Sequence, residues 1–392
     1  MEPASILKAI KHCLPKESGS PILLHQPSFC GKEWEYVKEC LDTGWVSSVG
    51  KYVDEFEDRL QATTGAKFAI AVVNGTAALH LCLHLCGVEK DDEVLVPALA
   101  FVAIANAVSY CNAVPHFVDC EEQTLGVDPA GLESYLEQTS EIKHGECFNK
   151  SSGRRIKALI AVHTFGHPVD LDAVLRICRR FKIELIEDAA ESLGSTYKGR
   201  HTGSWGRVSA LSFNGNKIIT TGGGGAVLTQ DEDLARQAKH LSTTAKQPHP
   251  WRYFHDSKGY NYRLPNINAA LGCAQLEQLP KFLQNKRDLS AQYKKEFDAC
   301  PGVKFFQEPG FAKSNYWLNV LLLDEEHSHH LESILKLCIS EGLMVRPAWV
   351  LLNKLPMFES CPQAKLPVAE SLVRRILNIP SSAVLGASNA QA

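Results

Sequence analysis

A chain of 392 residues with 45% hydrophobic and 22% charged residues has the make-up of a folded globular protein, and it is too long for one average domain, so two units are expected. A net charge of −3 without a basic block argues against nucleic acid as a partner, and no stretch approaches the length of a membrane span. The thirteen cysteines are scattered, odd in number and without a CxxC pair, so they read as reduced thiols of a cytoplasmic protein, and no metal centre is expected.

Glu2, Lys8 and Lys11 interrupt the apolar residues of the N-terminus, so no secretory segment is read there. Residues 4–14 place Ile6, Ile10, Cys13 and Leu14 on one helical face, broken by Ser18-Gly-Ser-Pro21. Residues 1–30 are therefore expected as an N-terminal helical extension. Glu33 to Leu41 reads as a helix ending at Gly44, Trp45–Gly50 as an irregular linker, and Val53–Thr63 as a further helix.

From Phe68 onward strands and helices alternate. Strands are expected at Phe68–Val73, Glu93–Val96, Pro115–Val118, Ile156–Val162 and Ile183–Ile186. Helical faces lie between them at Ala78–Leu85, Phe101–Tyr110 and Val174–Phe181. Strands apolar on both faces, covered by helices, mean an α/β fold with a buried, mostly parallel sheet. The polar segment 138–155 interrupts this and reads as an inserted surface hairpin. After Asn266 a long helix runs towards Phe297, with a bend expected at Pro280. Val303–Phe306, Trp317–Leu323, a helix around Leu331–Ile339 and Leu343–Val345 then form a smaller α+β unit, and the last dozen residues are expected to fray. The division is a large domain over 31–265, then a connecting helix and small domain over 266–392.

The chemistry gathers at strand ends, where open α/β sheets bind ligands. Val208–Phe213 is a strand that ends in Asn214-Gly215-Asn216 and Lys217, before Gly222–Gly225 and the apolar run Ala226–Leu228. A lysine on such a turn can lie deep in a cleft, shed its charge by desolvation and become a nucleophilic amine; it can also be a plain solvated loop lysine. Asn74-Gly75-Thr76 opens a helix after a strand, which suits either a phosphate or an ordinary helix cap. Asp188 ends a strand and either meets a cationic partner or caps the next turn. His163 fits a site wall and a core position equally, and Phe101 can stack on a flat ring or pack in the core. In Gly259-Tyr-Asn-Tyr-Arg263, Asn261 has no evident local backbone to cap and Arg263 offers a fixed cation for a phosphate or carboxylate, unless the segment is a solvated turn before a helix. No GxGxxG follows a strand, which disfavours a nicotinamide oxidoreductase.

Across residues 45–278 the chain resembles the DegT/DnrJ/EryC1/StrS sugar aminotransferases, pyridoxal-phosphate (PLP) enzymes of fold type I. WVSSVGKYVDEFE, NGTAALHL, EVLVPALAFVAIANA, VHTFGHPVDLD, IEDAAESLGSTYKG, SFNGNKIITTGGGG and GYNYRLPNINAALGCAQLEQL carry the likeness. ECFNKSSGRRIKALIAVH, RPAWVLLNKLPMF and VAESLVRRILNIPSS resemble the subgroup that aminates UDP-linked 4-keto-6-deoxy-N-acetylhexosamines at C4, on routes to bacillosamine and legionaminic-type sugars.

The resemblance implies a seven-stranded sheet, PLP as cofactor, and a nucleotide sugar and L-glutamate as substrates. It further implies a homodimer whose active sites are shared. Lys217 would carry PLP covalently and shuttle protons, Asp188 would pair with the ring nitrogen, and Phe101 would cover the ring. Gly75, Thr76 and Ser212 would bind the phosphate, and Asn261 would reach the phosphate in the neighbouring subunit. His163 is implied as catalytic, Glu191 as a cofactor contact, and Trp45, Ser47, Arg263 and Trp349 as substrate contacts. Glu191 stands where many relatives carry glutamine, and Asn74 where a serine is common. Three rivals are an aminotransferase for another nucleotide-linked keto sugar such as GDP-4-keto-6-deoxymannose, a sugar dehydratase on the same scaffold, which would carry histidine at position 217, and a catalytically silent sugar-nucleotide binder.

Overall fold

The computed structural model describes residues 2–15 and 21–387, so Ser18–Ser20 of the expected helix break and the last five residues lie outside them. The chain opens with helices α1 (Pro3–Cys13), α2 (Glu33–Thr43) and α3 (Lys51–Thr64). Gly44 ends α2 in a left-handed conformation. There follow β1 (Phe68–Val72), α4 (Gly75–Leu85), β2 (Glu93–Pro97), α5 (Ala103–Tyr110), β3 (Val114–Val118) and α6 (Pro129–Thr139). The expected insertion is a hairpin of β4 (Ser140–Lys143) and β5 (Glu146–Asn149). Then come β6 (Ile156–Val162), α7 (Leu171–Phe181), β7 (Glu184–Asp188), β8 (Thr196–Tyr197), β9 (Arg200–His201), β10 (Val208–Ser212), β11 (Gly225–Thr229) and α8 (Glu232–Ser242).

Seven of these strands form one sheet in the order β1-β11-β10-β7-β6-β2-β3. Only β11 runs against its neighbours; the other six share one direction. The antiparallel β11 therefore brings its first residue, Gly225, to the edge where β1 and β10 end, paired with Val72 and Ser212. Side chains alternate across the sheet. Ile70, Val72, Val96, Ile160 and Ile186 pack under α4, α5 and α8. On the opposite face Ala69, Ala71 and Leu211 meet α3 and α9 (Asn266–Phe297), and Leu95, Leu159 and Leu185 meet α6 and α7.

Helix α9 is continuous through Pro280. Beyond it lie β12 (Val303–Phe305), β13 (Ala312–Lys313), β14 (Asn319–Leu323), α10 (Leu331–Ser340), β15 (Arg346–Pro347), α11 (Pro367–Leu372), β16 (Ile376–Ile379) and α12 (Ala383–Ala387). A second, antiparallel sheet has the order β12-β14-β16-β15. Leu321 and Leu323 face a core shared with α1, α9 and α10, so the N-terminal helix packs into the C-terminal unit. Val320 and Leu322 face the other way, into the core under the large sheet. Two expectations are corrected. The strand read at Leu343–Val345 lies at Arg346–Pro347, because Leu343 pairs instead with Ile22. The expected fraying does not reach residues 381–387, where Ser381 and Ser382 are buried and α12 packs against α9.

Candidate active site

Strand ends place most of the expected residues at one edge of the large sheet. Beyond β1, the Asn74 side chain accepts from the Ala77 amide at 2.7 Å and so caps α4. That leaves the first amides of α4, at Gly75 and Thr76, open at the helix's positive end. Gly75 lies against Ser212: a Cβ there would stand 2.8 Å from the Ser212 Cβ. Gly225 is crowded in the same way, since its Cβ would stand 2.5 Å from the Asn74 carbonyl. The two glycines keep open a cradle of backbone amides and a hydroxyl, the donor set that a phosphate needs. The Gly259–Arg263 loop runs beside it, with Tyr262 accepting from the Val73 amide and Arg263 bridging to Val72.

Lys217 follows β10 on a turn closed by its own amide to the Asn214 carbonyl. Its side chain is 13% exposed, with Nζ 3.3 Å from Glu191 Oε1 and 3.9 Å from the centre of the Trp317 ring. Glu191 Oε2 accepts from the Phe165 amide at 2.8 Å. Burial pushes the Glu191 carboxyl up, against the pull of Lys217 and of that amide. Asp188 ends β7 in a comparable state. Its carboxylate accepts one described hydrogen bond, from the Ala190 amide, and burial raises its pKa despite Lys217 and His163 nearby.

His163 is fully buried, with Nδ1 facing the Val169 amide and Nε2 facing Glu187 Oε2 at 3.1 Å. The Val169 amide can only donate, so the ring proton sits on Nε2 and points at Glu187. Both ring nitrogens of His163, expected as a catalytic residue, are thus engaged by described groups of the protein. Phe101 is 51% exposed at the cleft, and Trp349 stands 6.2 Å from it while stacking on Phe165 at 4.9 Å. Asn261 is exposed, and its side chain bonds only to Arg263 among the described residues. Trp45 and Ser47 are exposed on the α2–α3 linker, where their carbonyls hold Asn266. No described contact brings those two to Lys217.

Sequence reasoning missed Trp317 and Glu187. Trp317 comes from the small unit and donates to the Asn216 carbonyl at 2.7 Å, so both units build the lysine's surroundings. Nothing local marked it. Glu187 accepts from the amides of Gly203, Trp205 and Gly206, each at 2.7 Å, as well as from His163. Its place beside Asp188 was the only signal.

The residues present fit PLP. The cradle suits its phosphate, Asp188 is in no ion pair among the described residues and so leaves room for a ring nitrogen, and Lys217 acts on Asp188 from the next strand.

The profile of the DegT/DnrJ/EryC1/StrS aminotransferase family matches residues 28–392. GDP-perosamine synthase of Escherichia coli O157:H7 is 38% identical, over 92% of this chain and 93% of that protein. EpsN of Bacillus subtilis (strain 168), named as a candidate pyridoxal phosphate-dependent aminotransferase, is 37% identical over 92% of this chain and 90% of its own length. The solved structure of DesI with its TDP-sugar product aligns with a TM-score of 0.81 at 27% identity, covering 93% of this chain and 89% of that one.

Proposed function

The chain belongs to the DegT/DnrJ/EryC1/StrS family and is a PLP-dependent sugar aminotransferase, and we propose that it moves an amino group from glutamate to C4 of a UDP-linked 4-keto-6-deoxy-N-acetylhexosamine. The observation that carries the aminotransferase chemistry of this reading is the convergence of Lys217, Glu191 and Asp188 at the sheet edge that holds the phosphate cradle. When bound, PLP supplies a carbonyl that takes up an amino group and a ring that draws electrons from the adjoining carbon.

Lys217 holds the cofactor through Nζ and later gives and takes protons at that nitrogen. Glu191, tied to the Phe165 amide, keeps that nitrogen aimed into the cleft. Asp188 holds a proton on the ring nitrogen, which in turn relieves the carboxylate's isolation. Phe101 covers the ring, and Gly75, Thr76 and Ser212 hold the phosphate. Arg263, Trp349, Trp45 and Ser47 contact the nucleotide sugar. Asn261, exposed and with its side chain bonded only to Arg263 among the described residues, acts in the site of a second copy, making the active form a homodimer in the cytoplasm.

UDP and C4 rest on the inserted hairpin 138–155 and the segments 346–358 and 368–382. A GDP-linked acceptor is the second reading, favoured by the relatives named GDP-perosamine synthase. A panel of UDP-, GDP- and dTDP-linked 4-keto and 3-keto sugars with glutamate, followed by mass spectrometry, separates them. A higher kcat/KM for the UDP-linked 4-keto N-acetylhexosamine is expected; a preference for a GDP-linked sugar overturns the nucleotide assignment. Subunit exchange tests the shared site. Mixing Lys217→Ala with Asn261→Ala chains should restore activity through one intact site per heterodimer, and no recovery despite proven exchange removes it.

A further inference from the structure

Outside this site, the far end of α4 carries a second cluster. His80 and His84 sit four residues apart and so share one helix face. Cys111, in the turn after α5, meets them, and the ligand atoms of the three lie within 4.8 Å of one another. His80 and Cys111 are buried and His84 is half-buried. We infer that His80, His84 and Cys111 form a site for one divalent cation of the zinc class, which clips α4 to the turn after α5.

The two imidazole Nε2 atoms face each other at 3.2 Å. Two nitrogen ligands of a tetrahedral zinc, each about 2.0–2.1 Å from the metal, stand about 3.3 Å apart, so this pair already has the required spacing. His84 Nε2 also lies 2.7 Å from the Tyr260 hydroxyl, so one nitrogen, with either one proton or one lone pair, faces both His80 and Tyr260. A cation between the rings takes a lone pair from each. His80 then carries its proton on Nδ1, which lies 3.1 Å from the Tyr262 hydroxyl, the outer hydrogen bond by which a ligating histidine is oriented.

The Cys111 thiol is free. As a ligand it must be a thiolate, so each metal bound releases one proton to solvent. One thiolate and two imidazoles select Zn2+ or Co2+ over the oxygen-seeking Mg2+ and Ca2+. The loop whose Tyr262 hydroxyl meets His80 presents Asn261 and Arg263, and its Tyr262 carbonyl holds the Val73 amide just before the phosphate cradle. Tertiary contact builds this site, which is why cysteine spacing did not reveal it.

The tag-free full chain, treated with chelator and dialysed, is titrated with Co2+. The expected result is one equivalent per chain, with the near-ultraviolet charge-transfer band of a cobalt–thiolate bond, reversed by Zn2+ and untouched by Mg2+. Cys111→Ser should lose that band, and His84→Gln should weaken Co2+ binding by about 100-fold or more. Tyr262→Phe, which removes only the outer hydrogen bond, should cost about 10–100-fold. No thiolate band in the wild-type chain overturns the site, with no variant needed. A band that survives Cys111→Ser overturns it as well, because the signal then belongs to another cysteine such as the exposed Cys30.

Discussion

Glu187 and Asp188 are neighbours on β7, both buried, yet the sheet turns them to opposite faces and opposite fates. Glu187 follows Leu185 into the layer under α7, where three backbone amides and the His163 ring converge on it. Burial pushes its carboxyl up, but the His163 contact and the Gly206 and Gly203 amides outweigh this and hold it below the usual range. Asp188 follows Ile186 to the α4 face with one backbone amide, and burial holds it above the usual range. The first carboxylate is satisfied by the fold. The second, among the described residues, accepts one backbone amide and no ion pair, with Lys217 acting on it only from a distance.

Removing the amine that the second region surrounds should have the largest effect. Lys217→Ala should fold normally yet lose at least about 10²–10⁴ in kcat, the usual value of general acid–base assistance, with loss of covalent attachment adding to it. Steady-state and single-turnover rates check this.

Asp188→Asn should lower kcat by about 10²–10³, in line with the loss of one preorganised electrostatic contact. The same change should raise the melting temperature of the cofactor-free chain at neutral pH. A carboxyl whose pKa is raised on folding contributes stability below its unfolded value, and loses it as pH rises through the folded value. The neutral amide carries no such cost. A variant with near-normal turnover, or with a lowered melting temperature, would make Asp188 a structural cap like its neighbour.

Glu187→Gln should do the reverse, with a small change in turnover and a stability loss of about 1–3 kcal/mol from amides left facing an NH2 group. Here the sign of the pH effect also flips. A carboxyl depressed on folding stabilises the chain above its unfolded value and loses that contribution as pH falls through the folded one. Urea unfolding of the wild type and the variant between neutral and acid pH should therefore converge as the pH drops.

Much of this contrast was legible in the chain. Continuous apolar runs gave the strands of the large sheet, and the turn chemistry around Lys217 and Gly222–Gly225 marked the edge where ligands gather. Sequence periodicity could not distinguish the two carboxylates, because their partners are backbone amides of residues 203–206 and a ring on another strand. Trp317 was read only as the start of a small-unit strand, since its contact with Lys217 depends on how two remote segments pack. The pairing of Leu343 with Ile22 was hidden for the same reason. Local pattern reports a residue's own element, not what arrives from elsewhere.

The most direct test concerns Lys217 itself. Purified protein carrying PLP is reduced with borohydride, digested, and mapped by mass spectrometry. The expected result is a single phosphopyridoxyl adduct on the peptide that contains Lys217. An adduct on any other lysine, with Lys217 unmodified, would contradict the assignment of this edge of the sheet as the active site.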